Sequence, residues 1–115
     1  SIMYHLYIVK SIGGRIGFGI ATDLKERNKH YASHSGDIVQ FPLVFGGLRA
    51  HAKAVEKTIK REYEDHIWQV DDWKTEWLKK EVYMEDFEKF IMTLIKERHY
   101  KLEVVKRDYN FLDEQ

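Results

Sequence analysis

The chain contains no cysteine and only one proline, Pro42, in 115 residues. Without thiols it can build neither a disulfide framework nor a thiolate zinc site, and it holds no cysteine nucleophile. An excess of charge of either sign is also missing, because 19 basic and 19 acidic residues cancel to a formal net charge of zero. No bulk field draws nucleic acid or an anionic membrane, so polyanion binding has to rest on a local patch. No apolar run approaches the roughly 20 residues of a spanning helix, and the first residues lack the basic-then-apolar order of a signal peptide. These absences lead us to expect no membrane partner and a cytoplasmic setting that requires no oxidising compartment.

What is present is a globular composition: 43% hydrophobic, 14% aromatic and 33% charged residues. That balance lies outside the disordered and fibrous classes. The length suits a single domain over residues 1–115, large enough to bury a core, and neither a repeat nor a linker divides it.

Residues 4–9 alternate with β-branched and aromatic content, Ser11-Ile12-Gly13-Gly14 supplies a hairpin turn, and Arg15 to Ile20 returns as a second strand. Gly17 and Gly19 within that strand suggest a bulge, a surface that a ligand approaches closely, or simple strand plasticity. Thr22 reads as the cap of a helix running to about Ala32, with Leu24, Asn28 and Tyr31 on one face and Arg27 beside them. Gly36 and Asp37 close it, and a third strand follows from Ile38, with Pro42 at an edge or a bend. Ala52, Val55, Ile59 and Tyr63 recur at helical spacing within 48–67, leaving Glu56 at the margin of the buried stripe. Residues 68–81, which carry all three tryptophans among charges, read as a loop. Met84 to about His99 is a strongly amphipathic helix, residues 101–107 form a possible final strand, and the tail beyond is expected to be poorly ordered. The fold class expected is α+β: a small, mostly antiparallel sheet of three to four strands flanked by helices, in the order ββαβαα(β).

Several short segments, taken in order, resemble the GIY-YIG nuclease superfamily over about residues 4–95, with 101–107 as an extension. His5-Leu6-Tyr7 stands where the first triplet would be, and Arg15-Ile16-Gly17 or Gly17-Phe18-Gly19 where the second would be. Arg27 in TDLKERNKHY is similar to the arginine of the following helix, and Ala54-Val55-Glu56-Lys57 to the surroundings of the later glutamate. Thr75-Glu76-Trp77-Leu78 resembles the Glu-Trp-aromatic signature of a phage and fungal branch whose second triplet often begins with a basic residue. The resemblance implies a GIY-YIG-like fold and a phage-type or mobile-element endonuclease that hydrolyses DNA with Mg2+ or Mn2+, acting in the bacterial cytoplasm if phage-encoded.

It also implies roles. Glu56 would anchor the metal, Arg27 would grip the phosphate as a planar guanidinium does, and Tyr7 would orient the attacking water. Arg15 would assist the phosphate, with His30 or Tyr31 supporting the base. Read from the residues alone, Glu56 better suits a pair with Lys53 or Lys60, and Tyr7 a core position. His30 and His34 are one turn apart like a zinc pair, but no glutamate separates them in the metalloprotease order and no third ligand is apparent. Lys53, Lys57, Lys60 and Arg61 form a basic strip on the Glu56 helix that suits a DNA backbone, and Lys74, Lys79 and Lys80 surround Trp73 and Trp77. The second triplet lacks its first tyrosine and no asparagine follows Glu56. This supports an alternative expectation, a GIY-YIG-like module impaired in cleavage that binds nucleic acid or inhibits a host protein.

Overall fold

Leu6, Tyr7, Ile8 and Val9 are apolar without interruption, and the fold buries all four by placing their strand where both of its faces are covered. A computed structural model describes residues 2–36, 38–71 and 73–111, apart from the side chains of Ser35, Trp73 and Lys74. The strand is β1 (Tyr4–Ser11), which pairs antiparallel with β2 (Ile16–Ala21) on one side and with β3 (Val39–Gly47) on the other. Helix α1 (Leu24–Ser35) joins β2 to β3. Helix α2 (Arg49–Glu62) and a short 3-10 turn lead to the hairpin of β4 (Ile67–Val70) and β5 (Trp73–Leu78). Helix α3 (Met84–Glu97) and strand β6 (Leu102–Tyr109) complete the chain, and the sheet order is β4-β5-β2-β1-β3-β6, antiparallel throughout.

Strand alternation sends side chains to two separate cores. Leu6, Ile8, Phe18 and Phe45 meet Val55 and Ile59 of α2 and Phe87 and Ile91 of α3. On the opposite face Tyr7, Val9, Phe41 and Val44 meet Leu24 and Tyr31 of α1. Helices α2 and α1 therefore cover opposite faces of one sheet. No helix among the described residues is long and apolar enough to cross a membrane.

The α+β class is as the residues indicate, but the sheet has six strands rather than three to four. Much of the difference lies in residues 68–81, expected as a loop and found as most of a hairpin. Its β-branched and aromatic residues outweigh the interspersed charges, and Asp71 takes the left-handed turn position (φ 53°) that aspartate tolerates well. The cap of α1 is Asp23 rather than Thr22, its carboxylate accepting the Glu26 amide at 3.1 Å, and Gly36 closes the helix at φ 64°. Pro42 lies in β3, an interior strand, where the β1–β3 register shifts between Ile8 and Lys10; a missing donor is tolerated at that irregularity. Asp37 and residues 112–115 lie outside the described residues, so the reading of the end of the tail does too.

Candidate active site

Tyr7 projects from the central strand onto the α1 face and is fully buried. Its hydroxyl shares a hydrogen bond of 3.1 Å with that of Tyr31, which α1 brings across, and the rings meet edge to face. Arg27, one turn earlier on α1, holds its guanidinium 6.0 Å from the Tyr7 ring centre and donates to the Ile20 carbonyl at 3.3 Å. The helical spacing of Arg27 and Tyr31 puts both over β1.

The room for this cluster comes from glycine. A Cβ at Gly19 would lie 2.5 Å from the Tyr7 hydroxyl oxygen and 3.1 Å from Oε2 of Glu76, so the bare backbone lets a phenol and a carboxylate close over β2. At Gly17 a Cβ would meet the Trp77 ring and Val9, each at 2.9 Å. The two glycines mark neither a bulge in the β1–β2 register nor an open surface, since the protein's own side chains fill the space.

Glu76 is the residue that joins the halves. It lies on β5, whose pairing with β2 among the described residues is the one match of Gly17 with Trp77. Across this loose seam its carboxyl senses charges from both faces of the sheet. Burial first, and then the negative charge of Glu56 on α2, raise its pKa above the ordinary carboxylate value, while Lys60 and Arg27 pull it down. Glu56 itself is largely covered, its side chain 16% exposed, and its only ion pair among the described residues is a long one of 3.9 Å to the half-exposed Lys60. Such a pair contributes little to stability. A recess of 360 Å³ lined by Lys60, Arg61, Glu64, Ile67, Thr75 and Glu76 opens at this point. A second, of 400 Å³ and including Arg27, Glu26 and His30, opens at the start of α1.

Both phenols resist ionisation. The Tyr7 pKa is driven far above its ordinary value, chiefly by burial and then by Tyr31, with only Arg27 opposing. Tyr31 is raised as well, again chiefly by burial. The cation beside Tyr7 is thus Arg27, not Arg15, and it does not produce a phenolate; Tyr7 is a neutral hydroxyl that braces Tyr31.

The structure gathers Tyr7, Arg27 and Tyr31 into one cluster and brings Glu56 within electrostatic reach of Glu76. Arg15 stands apart, its guanidinium packed over the rings of Trp68 and Trp77. His30 is exposed and stacks on His34 at 4.0 Å, sharing a recess with Arg27 but making no described contact with the tyrosines. Lys53, Lys57, Lys60 and Arg61 are all exposed along α2. The patch around Trp73 and Lys74 falls on side chains outside the described residues. Among the described residues no group of three or more histidine, aspartate or glutamate side chains is placed to hold a metal ion. Sequence reasoning ranked Glu76 only as part of a signature; the available signal was a carboxylate in a β-prone run beside a strand spaced Gly-Phe-Gly. Compared with known proteins, the chain matches no family model, no curated protein and no solved structure.

Proposed function

We propose that this chain is a divalent-cation-dependent endonuclease that hydrolyses DNA phosphodiester bonds, with a GIY-YIG-like set of tyrosine, arginine and glutamate. The observation that carries this reading is the convergence of the Tyr7 hydroxyl and the Glu76 carboxylate over Gly19, with Tyr31 and Arg27 beside Tyr7 and the charge of Glu56 acting on Glu76. The donor set suits magnesium or manganese, which accept one or two protein carboxylates and complete their coordination with water and phosphate oxygens. Partial burial and the charge of Glu56 raise the Glu76 pKa above the ordinary carboxylate value, and a cation there would relieve that repulsion. When bound, the ion would neutralise charge on the scissile phosphate and assist departure of the leaving oxygen.

The remaining work falls to the chain's own groups. Arg27 would hold a phosphate oxygen through a planar, permanently charged fork. Tyr31, 8% exposed, would present a neutral hydroxyl as a hydrogen-bond donor, fixed by Tyr7 behind it. The exposed Lys53, Lys57, Lys60 and Arg61 would follow the backbone away from the cleavage point. The test is incubation of the purified chain with supercoiled, linear and branched DNA in Mg2+ or Mn2+. Cation-dependent cleavage that Glu56→Ala abolishes and Glu76→Gln lowers on the order of 100-fold is expected; DNA left intact by the wild-type chain overturns the reading.

One observation favours a second reading, the cleavage-impaired binding or inhibitory module. Tyr7, the residue to which the resemblance assigns water activation, is fully buried and firmly protonated. Manganese titration followed by paramagnetic broadening separates the two: broadening at Glu56 and Glu76 supports the hydrolase, and its absence in a chain that still binds DNA supports the module.

A further inference from the structure

Trp68 on β4 is 43% exposed, a large apolar surface to leave in water. One neighbour is cationic. The Arg15 guanidinium carbon lies 5.8 Å from the Trp68 ring centre and 5.9 Å from that of Trp77, so a single cation bridges two indoles. Arg15 makes no ion pair among the described residues. Behind it, Trp77 meets Tyr31 edge to face at 5.7 Å, and Tyr31 is bonded to Tyr7. An aromatic and cationic path thus runs from open solvent to the candidate active site. It is held in place by backbone: the Thr75 hydroxyl donates to the Trp68 carbonyl at 2.8 Å, and Gly17 leaves the space that Trp77 occupies.

The partner can be named from this chemistry. A half-exposed indole offers an apolar π-face, and the guanidinium beside it, with no ion pair among the described residues, offers planar donors to a phosphate. An unpaired nucleotide carries both complements on one residue, a base to stack and a phosphate to bridge. A base inside a duplex is already stacked on both sides and turns only its edge outward, so the indole finds no face there. We infer that Trp68 and Arg15 form a stacking platform for an unpaired nucleotide, which would direct the proposed hydrolase to DNA with a single-stranded segment. This inference rests on the proposed action on DNA, although the binding it describes does not require cleavage.

The test measures affinity in chelator, where no cleavage occurs, for a labelled single-stranded oligonucleotide and for the matching blunt duplex. The wild-type chain is expected to prefer the single strand. Trp68→Ala is expected to weaken single-strand binding on the order of 10-fold, the loss typical of one aromatic stacking partner. Duplex affinity stays unchanged, and Trp68→Phe keeps most of the single-strand affinity. Thermal melting of each variant establishes that it is folded. Equal weakening on both substrates, no weakening on either, or no binding of oligonucleotide by the wild-type chain overturns the platform. The cleavage assay reports separately: if DNA stays intact in Mg2+ but the Trp68 result holds, the hydrolase falls and the platform stands. If cleavage occurs and Trp68→Ala binds single strands as the wild type does, the platform falls alone.

Discussion

Glu76 sits between opposing charges, Glu56 on one side and Lys60 and Arg27 on the other, in a place where water screens poorly. Its raised pKa has a definite sign. A carboxyl that binds its proton more tightly in the folded state than in the unfolded one adds stability that is complete below the unfolded pKa and is lost as pH rises through the folded value. Ionised Glu76 therefore costs the protein stability at neutral pH, and Glu76→Gln should raise the melting temperature there while lowering cleavage on the order of 100-fold. Calorimetry and the DNA assay check the two halves independently. Activity of the wild-type chain should rise with pH as Glu76 ionises, with its midpoint above the ordinary glutamate value of about 4.3. The strand of Tyr7 and the helices of Arg27 and Glu56 were legible in sequence from local pattern, whereas only the resemblance singled out those three residues. Glu76 was not, because its importance comes from side chains brought in by two other elements.

At the scale of elements, β2 shows how a strand can be shaped by what lies over it. Gly19→Ala puts a methyl group against the Glu76 carboxylate and the fully buried, hydrogen-bonded Tyr7 hydroxyl, and should destabilise the fold by about 1–3 kcal/mol through overpacking. Chemical denaturation measures this, and an unchanged midpoint would mean that the cluster above β2 is loosely held. The helices were readable in advance because the apolar spacing of α2 and α3 has one interpretation. The hairpin was not. Trp68, Val70, Thr75 and Trp77 carry a strand preference that alternates with polar residues, and on β4 Trp68 and Val70 face solvent rather than a core. Charge density alone pointed to a loop where β-propensity and the left-handed conformation of Asp71 favour a hairpin.

For the molecule as a whole, the core on the α1 side is expected to be sensitive to alkali. The α1 side contains a hydrogen-bonded pair of buried phenols whose pKa values both lie above the ordinary one. Their contribution to stability is fully present below the unfolded tyrosine pKa of about 10 and is lost as pH climbs beyond it. Unfolding should therefore accompany phenolate formation in a single transition followed by ultraviolet absorbance, and Tyr7→Phe should carry the fold to higher pH at the expense of the Tyr31 contact.

The seam between β2 and β5 has a consequence for how binding can be observed. Because Gly17 and Trp77 supply the described ladder there, the β4–β5 hairpin is expected to open as a unit of its own, with faster amide exchange than β1 and β3. Opening carries Glu76 away from Glu56, so a cation that bridges the two would hold the hairpin shut. By mass action each tenfold rise in such a ligand above its dissociation constant should slow exchange in β5 about tenfold, leaving the central strands as they were. The hairpin amides thus act as a built-in reporter of occupancy, one that registers a ligand without requiring that any bond be cut.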